Sequence, residues 1–385
     1  MTVRPKILIF SLAYYPFVGG AEVAIKEITD RLGDDFSFDM ITANLDGKQK
    51  KEERVGNINV YRIGRSKLCK YLFPFVAYFK AKKLHEKNNY DMIWAMMANQ
   101  AGWAALKFKN KFPSVKYLLT LQEGDSGWDI WWRTFFIRLI YKNIYRRADH
   151  IQAISNFLAE RAKKLGAKNK IEVVPNGVKS EWLTQLGCTD IVEMKSNWKD
   201  SVQESGLGKI ITFSRLEKKN GIEYLIRAMK DINGRLIILG DGRLKRYLES
   251  ITKELSLEDK VKFEGFVNQN EFHNFIAGSD VFCRPSLSEG LGNSFLEAMA
   301  FKLPVIATPV GGIPDFLHDG ETGWFCKVKD PKSIAQKINY VLDPKNKEEV
   351  EMVVDNARKM VEEKYNWNNI SESMRKIFNQ LTNQL

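Results

Sequence analysis

Residues 280–300 read DVFCRPSLSEGLGNSFLEAMA, which is an apolar run, a loop with two glycines and a helix-forming run. The apolar run predicts a buried strand, and Asn293 or Ser294 is placed to cap the helix that follows. Strand-like and helix-like runs alternate in this way through most of the chain. Because nearly continuous apolar strands separated by helices are typical of a parallel sheet covered on both faces, the pattern predicts an α/β fold.

The alternation starts twice, and a polar, weakly patterned stretch at residues 180–208 separates the two series. This predicts two Rossmann-like doubly wound domains, residues 1–180 and 181–365, facing a cleft at the carboxyl ends of their strands. Residues 366–385 predict a helix with one apolar side, which we expect to pack back on the first domain. The predicted strands cover residues 6–12, 36–43, 58–63, 91–96, 115–121, 150–154, 171–174, 209–214, 235–239, 261–264, 280–283 and 304–307.

The net charge of +12 is unevenly distributed along the chain. Residues 1–186 hold 31 lysines and arginines against 18 aspartates and glutamates, whereas residues 187–385 hold 28 against 29. The basic excess therefore belongs to the first half, where nucleic acid, anionic lipid or a phosphorylated substrate are the candidate partners. No apolar run approaches the roughly 20 residues that a membrane-spanning helix requires.

The thiols and the amino terminus indicate a cytoplasmic protein. An apolar run at residues 7–17 follows Arg4 and Lys6, but no small-residue cleavage site comes after it, so we interpret it as the first strand. The cysteines are scattered without metal-ligand spacing and predict reduced thiols. They are Cys69, Cys188, Cys283 and Cys326.

Two loops are candidates for phosphate binding. Gly19 and Gly20 lie between the first strand and a helix, where a close backbone approach and free N–H groups suit an anion; a plain tight turn is the alternative. Arg215 follows the first strand of the second domain, and with Lys218 or Lys219 it suits a diphosphate that gains charge on leaving. The alternative there is a solvated basic turn.

A third loop, residues 286–299, combines two kinds of recognition. Backbone N–H groups at the start of its helix point toward a phosphate, and Glu297, about one turn inside the helix, suits hydroxyls such as those of a ribose. Glu289 precedes the helix and reaches other hydroxyls. A surface glutamate pair near a loop is the structural alternative. The predicted donor contacts in this loop are Gly290, Leu291, Gly292, Asn293, Ser294 and Glu297.

The chain resembles the family 4 glycosyltransferases of the GT-B fold over essentially its whole length. The Glu-x7-Glu pair is the specific part of this resemblance, and the glycine pairs support it. The matching segments are Gly19-Gly20, VPNGV at 174–178, Arg215 with Lys219, GDG at 240–242, Glu289 with Glu297, and GGIP at 311–314.

The resemblance implies a nucleoside-diphosphate sugar donor and retention of the anomeric configuration. It implies that Arg215 and Lys219 hold the diphosphate, that Glu297 holds the ribose and that Glu289 faces the donor sugar. Backbone at residues 292–294 would meet the distal phosphate. Residues 265–267, including Val267, would lie near the base. Gly240 completes the implied donor contacts, and Asn176 is an acceptor-side candidate.

No two aspartates stand two positions apart, so the chain has no Asp-x-Asp motif. Enzymes that neutralise a diphosphate with a divalent ion usually need such oxygen ligands. We therefore expect no metal and no other cofactor, with Arg215, Lys219 and helix dipoles replacing the ion.

Gln122 departs from the family pattern, because many members carry a histidine after the strand predicted here at residues 115–121. Glutamine can hydrogen-bond a hydroxyl but cannot titrate. If orientation is sufficient, Gln122 substitutes for the histidine; if a general base is needed, Glu123 or Asp125 must supply it.

Two basic segments rich in aromatic residues, 65–83 and 128–147, stand out in the first half. Such segments can lie at a membrane surface, with aromatic rings at headgroup depth and cations against anionic lipid. The alternative is that these helices pack on the sheet and expose only a basic edge. Membrane association would place the protein at the inner face of the membrane and favour a lipid-linked acceptor.

The sequence therefore predicts a retaining, metal-independent hexosyltransferase that acts on a lipid-linked glycan or glycolipid in envelope polysaccharide synthesis. A non-catalytic sugar-nucleotide sensor or membrane adaptor is the main alternative, motivated by Gln122, and a sugar-nucleotide epimerase is another. Nucleic-acid binding is disfavoured because no recognised module appears and the phosphate loops lie in the neutral half. A dehydrogenase is disfavoured because the dinucleotide fingerprint is absent.

Overall fold

The computed structural model describes residues 4–66, 68–183, 207–267 and 269–382. These form two compact units. The first unit contains the chain up to Glu123, Gly127–Asn176 and the segment from Trp367 onward, and the second contains Gly124–Ser126 and Gly177–Asn366. Lys67, Cys188 and most of the connection predicted at residues 180–208 lie outside the described residues.

The first unit is built on an eight-stranded sheet in the order β3-β4-β2-β1-β5-β6-β7-β8, and only β3 runs antiparallel to its neighbour. The strands are β1 (Lys6–Phe10), β2 (Ser37–Ala43), β3 (Glu52–Val55), β4 (Ile58–Ile63), β5 (Met92–Met96), β6 (Lys116–Leu121), β7 (His150–Ala153) and β8 (Lys170–Val173). The helices are α1 (Gly20–Leu32), α2 (Cys69–Asn88), α3 (Gln100–Lys111), α4 (Gly127–Thr134), α5 (Arg138–Arg147) and α6 (Asn156–Lys164).

The second unit has a six-stranded parallel sheet in the order β11-β10-β9-β12-β13-β14. Its strands are β9 (Gly208–Phe213), β10 (Gly234–Leu239), β11 (Val261–Gly265), β12 (Val281–Arg284), β13 (Val305–Ala307) and β14 (Trp324–Phe325). Its helices are α7 (Ile222–Ala228), α8 (Lys245–Glu254), α9 (Gln269–Ala277), α10 (Asn293–Ala300), α11 (Pro331–Leu342) and α12 (Lys347–Lys364). The strand order reverses between β9 and β12, which is where doubly wound sheets bind ligands.

The α/β fold class with two doubly wound sheets is confirmed. Each predicted strand is present, with ends that differ by at most two residues. The prediction omitted β3 and β14. Strand β3 alternates exposed and half-buried residues, and β14 has only two residues, so neither forms the continuous apolar run that identifies a buried strand.

Helices α6 and α10 begin differently. Ser155 caps α6, since its Oγ accepts the Leu158 N–H at 3.3 Å. The proposed cap of α10 by Asn293 or Ser294 is wrong, because Gly292 is the N-cap and Asn293 is already helical. Gly292 has φ of +101°, a left-handed conformation that a side chain at this position would strain.

Helix α13 (Trp367–Thr382) closes the core of the first unit. Phe378 lies 5.3 Å, centroid to centroid, from both Phe36 and Trp94, which belong to the sheet side of that core. The carboxyl terminus of the chain is therefore part of the first unit although the whole second unit precedes it. The buried residues of this helix include Trp367, Ile370, Met374, Ile377, Phe378 and Leu381.

Candidate functional site

In the second unit, the loop after β9 touches the loop after β12. The backbone carbonyl of Lys219 accepts the N–H of Leu287 at 2.6 Å and that of Ser288 at 3.4 Å. Gly221 has φ of +68°, and a Cβ there would overlap the carbonyl oxygen of Pro285. The basic loop and the Glu-x7-Glu loop therefore form one site, and a side chain at Gly221 would separate them.

The loops after β10 and β13 reach the same place. The Leu216 N–H donates to the Asp241 carbonyl at 2.9 Å, and Gly240 donates to the Gly265 carbonyl at 2.6 Å. The Gly312 N–H donates to the Glu289 carbonyl at 3.3 Å. The segments that carry the family resemblance in this unit thus meet at the carboxyl ends of the strands.

Arg284, the last residue of β12, lies at the centre of this site. Its Nη2 donates to Glu289 Oε2 at 2.6 Å and its Nη1 to Ser294 Oγ at 2.5 Å. Its Nε donates to Ser286 Oγ at 3.2 Å, and its guanidinium lies 4.2 Å from the ring centroid of Phe295. The sequence prediction missed Arg284. The available signal was an arginine at the end of an apolar strand, since a buried charge must be paired.

Glu297 lies one turn inside α10. Burial raises the pKa of its carboxyl to about 7, and the positive charges of Arg284 and Lys179 oppose this effect. Leu291 is buried. Among the described residues no side chain caps α10, and the positive end of its dipole faces the loop that holds Glu289.

Lys219 and Asp125 form an ion pair, with Nζ and Oδ1 3.2 Å apart. The Gly124 carbonyl accepts the Ser288 hydroxyl at 2.9 Å, which holds the segment 124–126 against the loop after β12. Lys218 and Lys219 were the two candidates to bind the diphosphate with Arg215. Lys218 is exposed, and Lys219 is half-buried. Arg215 is exposed, and its backbone carbonyl accepts the Asn220 amide at 2.5 Å.

Gln122 and Asn176 in the first unit form a reciprocal amide pair. Gln122 Nε2 donates to Asn176 Oδ1 at 3.1 Å, and Asn176 Nδ2 donates to Gln122 Oε1 at 3.2 Å. Neither group titrates, so the pair can orient a hydroxyl but cannot take its proton. Glu123 accepts the Ala98 N–H at 2.5 Å, and burial raises the pKa of the Glu123 carboxyl.

The glycine loop of the first unit is exposed. Gly19 and Gly20 lie at the start of α1, and the Gly19 N–H donates to Glu22 Oε2 at 2.8 Å. In the second unit, Val267 borders a groove of about 1080 Å³ along β10 and β11. This groove extends toward Lys209 and Arg235 at the amino ends of their strands, and its lining includes Phe266 and Val267 of the segment predicted to lie near the base.

The described residues contain no group of three histidine, cysteine or acidic side chains placed to hold a metal ion. Cys69, Cys283 and Cys326 are free thiols. Burial raises the pKa of the Cys326 thiol to about 12.

The two basic aromatic segments have both buried and exposed sides. On α2, Phe73 and Ala77 are buried, whereas Tyr71 and Phe79 are each 61% exposed. Around α4 and α5 the most exposed ring is Phe136 at 96%. The other large apolar side chains exposed in these segments are Leu68, Leu72, Phe75, Val76, Trp128, Trp132, Phe135 and Leu139.

None of the helices in the described part of the chain combines the length and apolar character needed to cross a membrane.

The two Rossmann-like units have the architecture of the GT-B fold. Residues 18–182 match the family described as Glycosyltransferase Family 4, and residues 194–360 match Glycosyl transferases group 1. The uncharacterized glycosyltransferase MJ1607 of Methanocaldococcus jannaschii is 31% identical, and the alignment covers 95% of this chain and 96% of that protein. The chain belongs to the family 4 glycosyltransferases.

Two further proteins are similar to this chain, one over part of its sequence and one in its whole fold. The lipopolysaccharide core biosynthesis glycosyltransferase LpsE of Rhizobium meliloti is 29% identical over 51% of this chain and 55% of its own length. The Anabaena protein Alr3699/HepE in complex with UDP-glucose has a TM-score of 0.77 at 19% identity, covering 97% of this chain and 99% of that one. At this identity the second similarity shows the fold alone.

Proposed function

We propose that this glycosyltransferase is a retaining, metal-independent hexosyltransferase. It moves a sugar from a nucleoside-diphosphate sugar to a lipid-linked glycan or glycolipid in envelope polysaccharide synthesis. The observation that carries the proposal is the contact of the Arg215–Lys219 loop with the loop that holds Glu289 and the start of α10. HepE binds UDP and UDP-glucose, and LpsE acts in lipopolysaccharide core synthesis; these relatives support the donor class and the envelope role.

The leaving diphosphate gains negative charge as its bond to the sugar breaks. Arg215, Lys219 and the positive end of the α10 dipole would stabilise this charge, which is the task a divalent cation performs in other enzymes. In the absence of donor, Asp125 neutralises Lys219. The donor diphosphate would replace that carboxylate as the partner of the ammonium group.

Retention follows if the acceptor hydroxyl attacks from the face that the diphosphate leaves. The departing phosphate oxygen would then take the acceptor proton. The Gln122–Asn176 amide pair fits this scheme, because it offers orientation and no base. Glu297 would hold the ribose and Glu289 the donor sugar, with the backbone at 290–294 against the phosphates and Val267 near the base. The phosphate contact of Gly19 and Gly20 stays a prediction.

The exposed rings of α2, of α4 and of Phe135 and Phe136 support association with an anionic membrane surface. Aromatic side chains partition to headgroup depth, and cations near the surface contribute about 1 kcal/mol each. Arg138, Arg146 and Arg147 of α5 are also exposed. A lipid-linked acceptor would thereby be presented to the first unit.

The test is release of nucleoside diphosphate from UDP-, GDP- and ADP-sugars, with and without membrane lipid extract and excess chelator. We expect release from one donor, stimulated by lipid and unaffected by chelator, with the anomeric configuration retained in the product. In the same assay, Arg215→Ala should lower turnover more than donor binding. The matched control is Arg227→Ala on the surface of α7, which should leave both unchanged.

Three outcomes would contradict parts of the proposal. Loss of activity with chelator, restored by magnesium, would exclude metal independence, and an inverted product would exclude retention. Saturable binding of one nucleotide sugar without release would favour a non-catalytic sensor, and the amide pair at Gln122 would then be its physical basis.

A further inference from the structure

Arg284 is a buried cation at the end of an apolar strand. Its side chain is 6% exposed, and β12 before it consists of buried Val281, Phe282 and Cys283. An apolar residue here would continue the core at no electrostatic cost, and replacing buried ion pairs by apolar residues is often neutral or stabilising. Folding alone therefore does not account for the arginine.

The guanidinium uses different nitrogen atoms for different parts of the site. Nε bonds Ser286 in the loop, Nη1 bonds Ser294 in the first turn of α10, and Nη2 bonds Glu289. The planar fork fixes the angles between these contacts, which an ammonium group would not. Phe295 lies against the guanidinium and fills the space beside it.

Glu289 is held at both carboxylate oxygens. Oε2 accepts from Arg284, and Oε1 accepts the Gly290 N–H at 3.1 Å. Its side chain is 15% exposed against 6% for Arg284, so solvent reaches the carboxylate more readily than the guanidinium. A substrate hydroxyl can reach the remaining lone pairs of Glu289, but Arg284 is reached only through its partners.

We propose that Arg284 is a positioning residue of the donor site, which aims the Glu289 carboxylate at the donor sugar and fixes the first turn of α10 through Ser294. This inference rests on the proposed function, because it requires that Glu289 faces a donor sugar. Arg284 itself does not touch the substrate.

Arg284 also acts on Glu297 through its charge. The charged groups that act on this carboxyl are Arg284 at the end of β12 and Lys179, and both lower its pKa against the larger effect of burial. The carboxylate of Glu289 also interacts electrostatically with Arg284. Removal of Arg284 should therefore move the pH at which Glu297 ionises upward, in addition to releasing Glu289.

The test compares Arg284→Met, Arg284→Lys, Glu289→Gln and the double variant Arg284→Met/Glu289→Gln, using the nucleotide sugar that wild type turns over. We expect Arg284→Met to lower kcat roughly tenfold or more while the Kd for the nucleoside diphosphate changes by less than about threefold. In the Glu289→Gln background the same substitution should lower kcat by less than about twofold, because its main partner is already lost.

The pH profile separates positioning from mere support. In Arg284→Met the acid limb of the kcat/KM profile should move to higher pH. Arg284→Lys keeps the positive charge without the planar guanidinium, so it should return the acid limb to its wild-type pH without restoring kcat. Arg358→Met is the control for loss of a buried arginine. Arg358 donates to the carbonyls of Trp182 and Ala300, and its loss should lower stability without moving the limb.

An unchanged kcat in Arg284→Met, or an equal loss in the presence and absence of Glu289, would overturn the inference while leaving the proposed function intact. If Arg284→Met does not fold, the double variant and Arg284→Lys decide the matter, because neither leaves an unpaired buried carboxylate. Wild type that neither binds nor turns over any nucleotide sugar would overturn both the proposed function and this inference.

Discussion

Glu297 carries a proton in the folded protein at pH values where an exposed glutamate does not. Burial raises its pKa from 4.5 to about 7, with Arg284 and Lys179 opposing. Because the folded-state pKa is above the unfolded-state pKa, the stability linked to this proton is complete below pH 4.5 and is lost as pH rises toward 7.

Glu297→Gln should remove this dependence. Between pH 4.5 and 7.5 the free energy of unfolding of wild type should fall relative to the variant by an amount on the order of 2 kcal/mol. Urea unfolding of both proteins across this range, without donor, measures the difference. Parallel pH curves for the two proteins would show that Glu297 ionises normally.

The ion pair of Lys219 with Asp125 concerns two residues far apart in sequence. Asp125 was a candidate base, but its carboxylate is bound to the ammonium group that is expected to meet the diphosphate. The structure thus gives Asp125 a part in the donor-free state that its position after a strand did not predict.

Helix α2 packs against the sheet and helix α5 packs against α3, and each leaves another side to solvent. The buried face of α5 includes Tyr141, Ile144 and Tyr145, whose packing supports the first unit. The exposed rings belong to α2, to α4 and to residues 135–136, so core packing and membrane contact are not exclusive in this region.

Trp132→Ala/Phe136→Ala should weaken binding to anionic vesicles by roughly tenfold, because two exposed rings that would enter the headgroup region are removed. Co-sedimentation with vesicles of increasing anionic content measures this. Phe266→Ala is the matched control, since Phe266 is also highly exposed, at 86%, but belongs to the second unit. An equal effect of both variants, or binding independent of anionic lipid, would contradict the assignment.

The path of the chain through the whole molecule makes the first unit depend on its last helix. Helix α13 returns after the second unit and contributes Phe378, which has no exposed surface, to the core around Trp94. The first unit can therefore complete its core only after the second unit has been synthesised.

Phe378→Ala should destabilise the first unit by about 3–5 kcal/mol, the usual effect of removing a buried aromatic ring. The unfolding transition of the second unit should stay in place, because its core contains no residue of α13. Calorimetry or urea unfolding with probes in each unit measures both. Phe136→Ala, which removes an exposed ring, should change stability by less than about 0.5 kcal/mol, and equal losses would refute the role of α13.

The sequence by itself determined the parts of this protein that depend on neighbours in the chain. Apolar runs predicted strands whose ends agree with the structure within two residues, and Glu289 and Glu297, with seven residues between them, are the specific part of the family resemblance. The sequence did not predict strand β3, because only its pairing with β4 defines it.

Only the tertiary structure decided which polar groups bind each other. The Gln122–Asn176 pair, the Lys219–Asp125 pair and the convergence of loops at Gly221 join residues far apart along the chain. Even Arg284, which is close in sequence to Glu289, gains its role from burial, and burial is a property of the packed sheet. A linear pattern records how often apolar residues recur, whereas the partner of a buried charge is set by which strands and loops lie side by side.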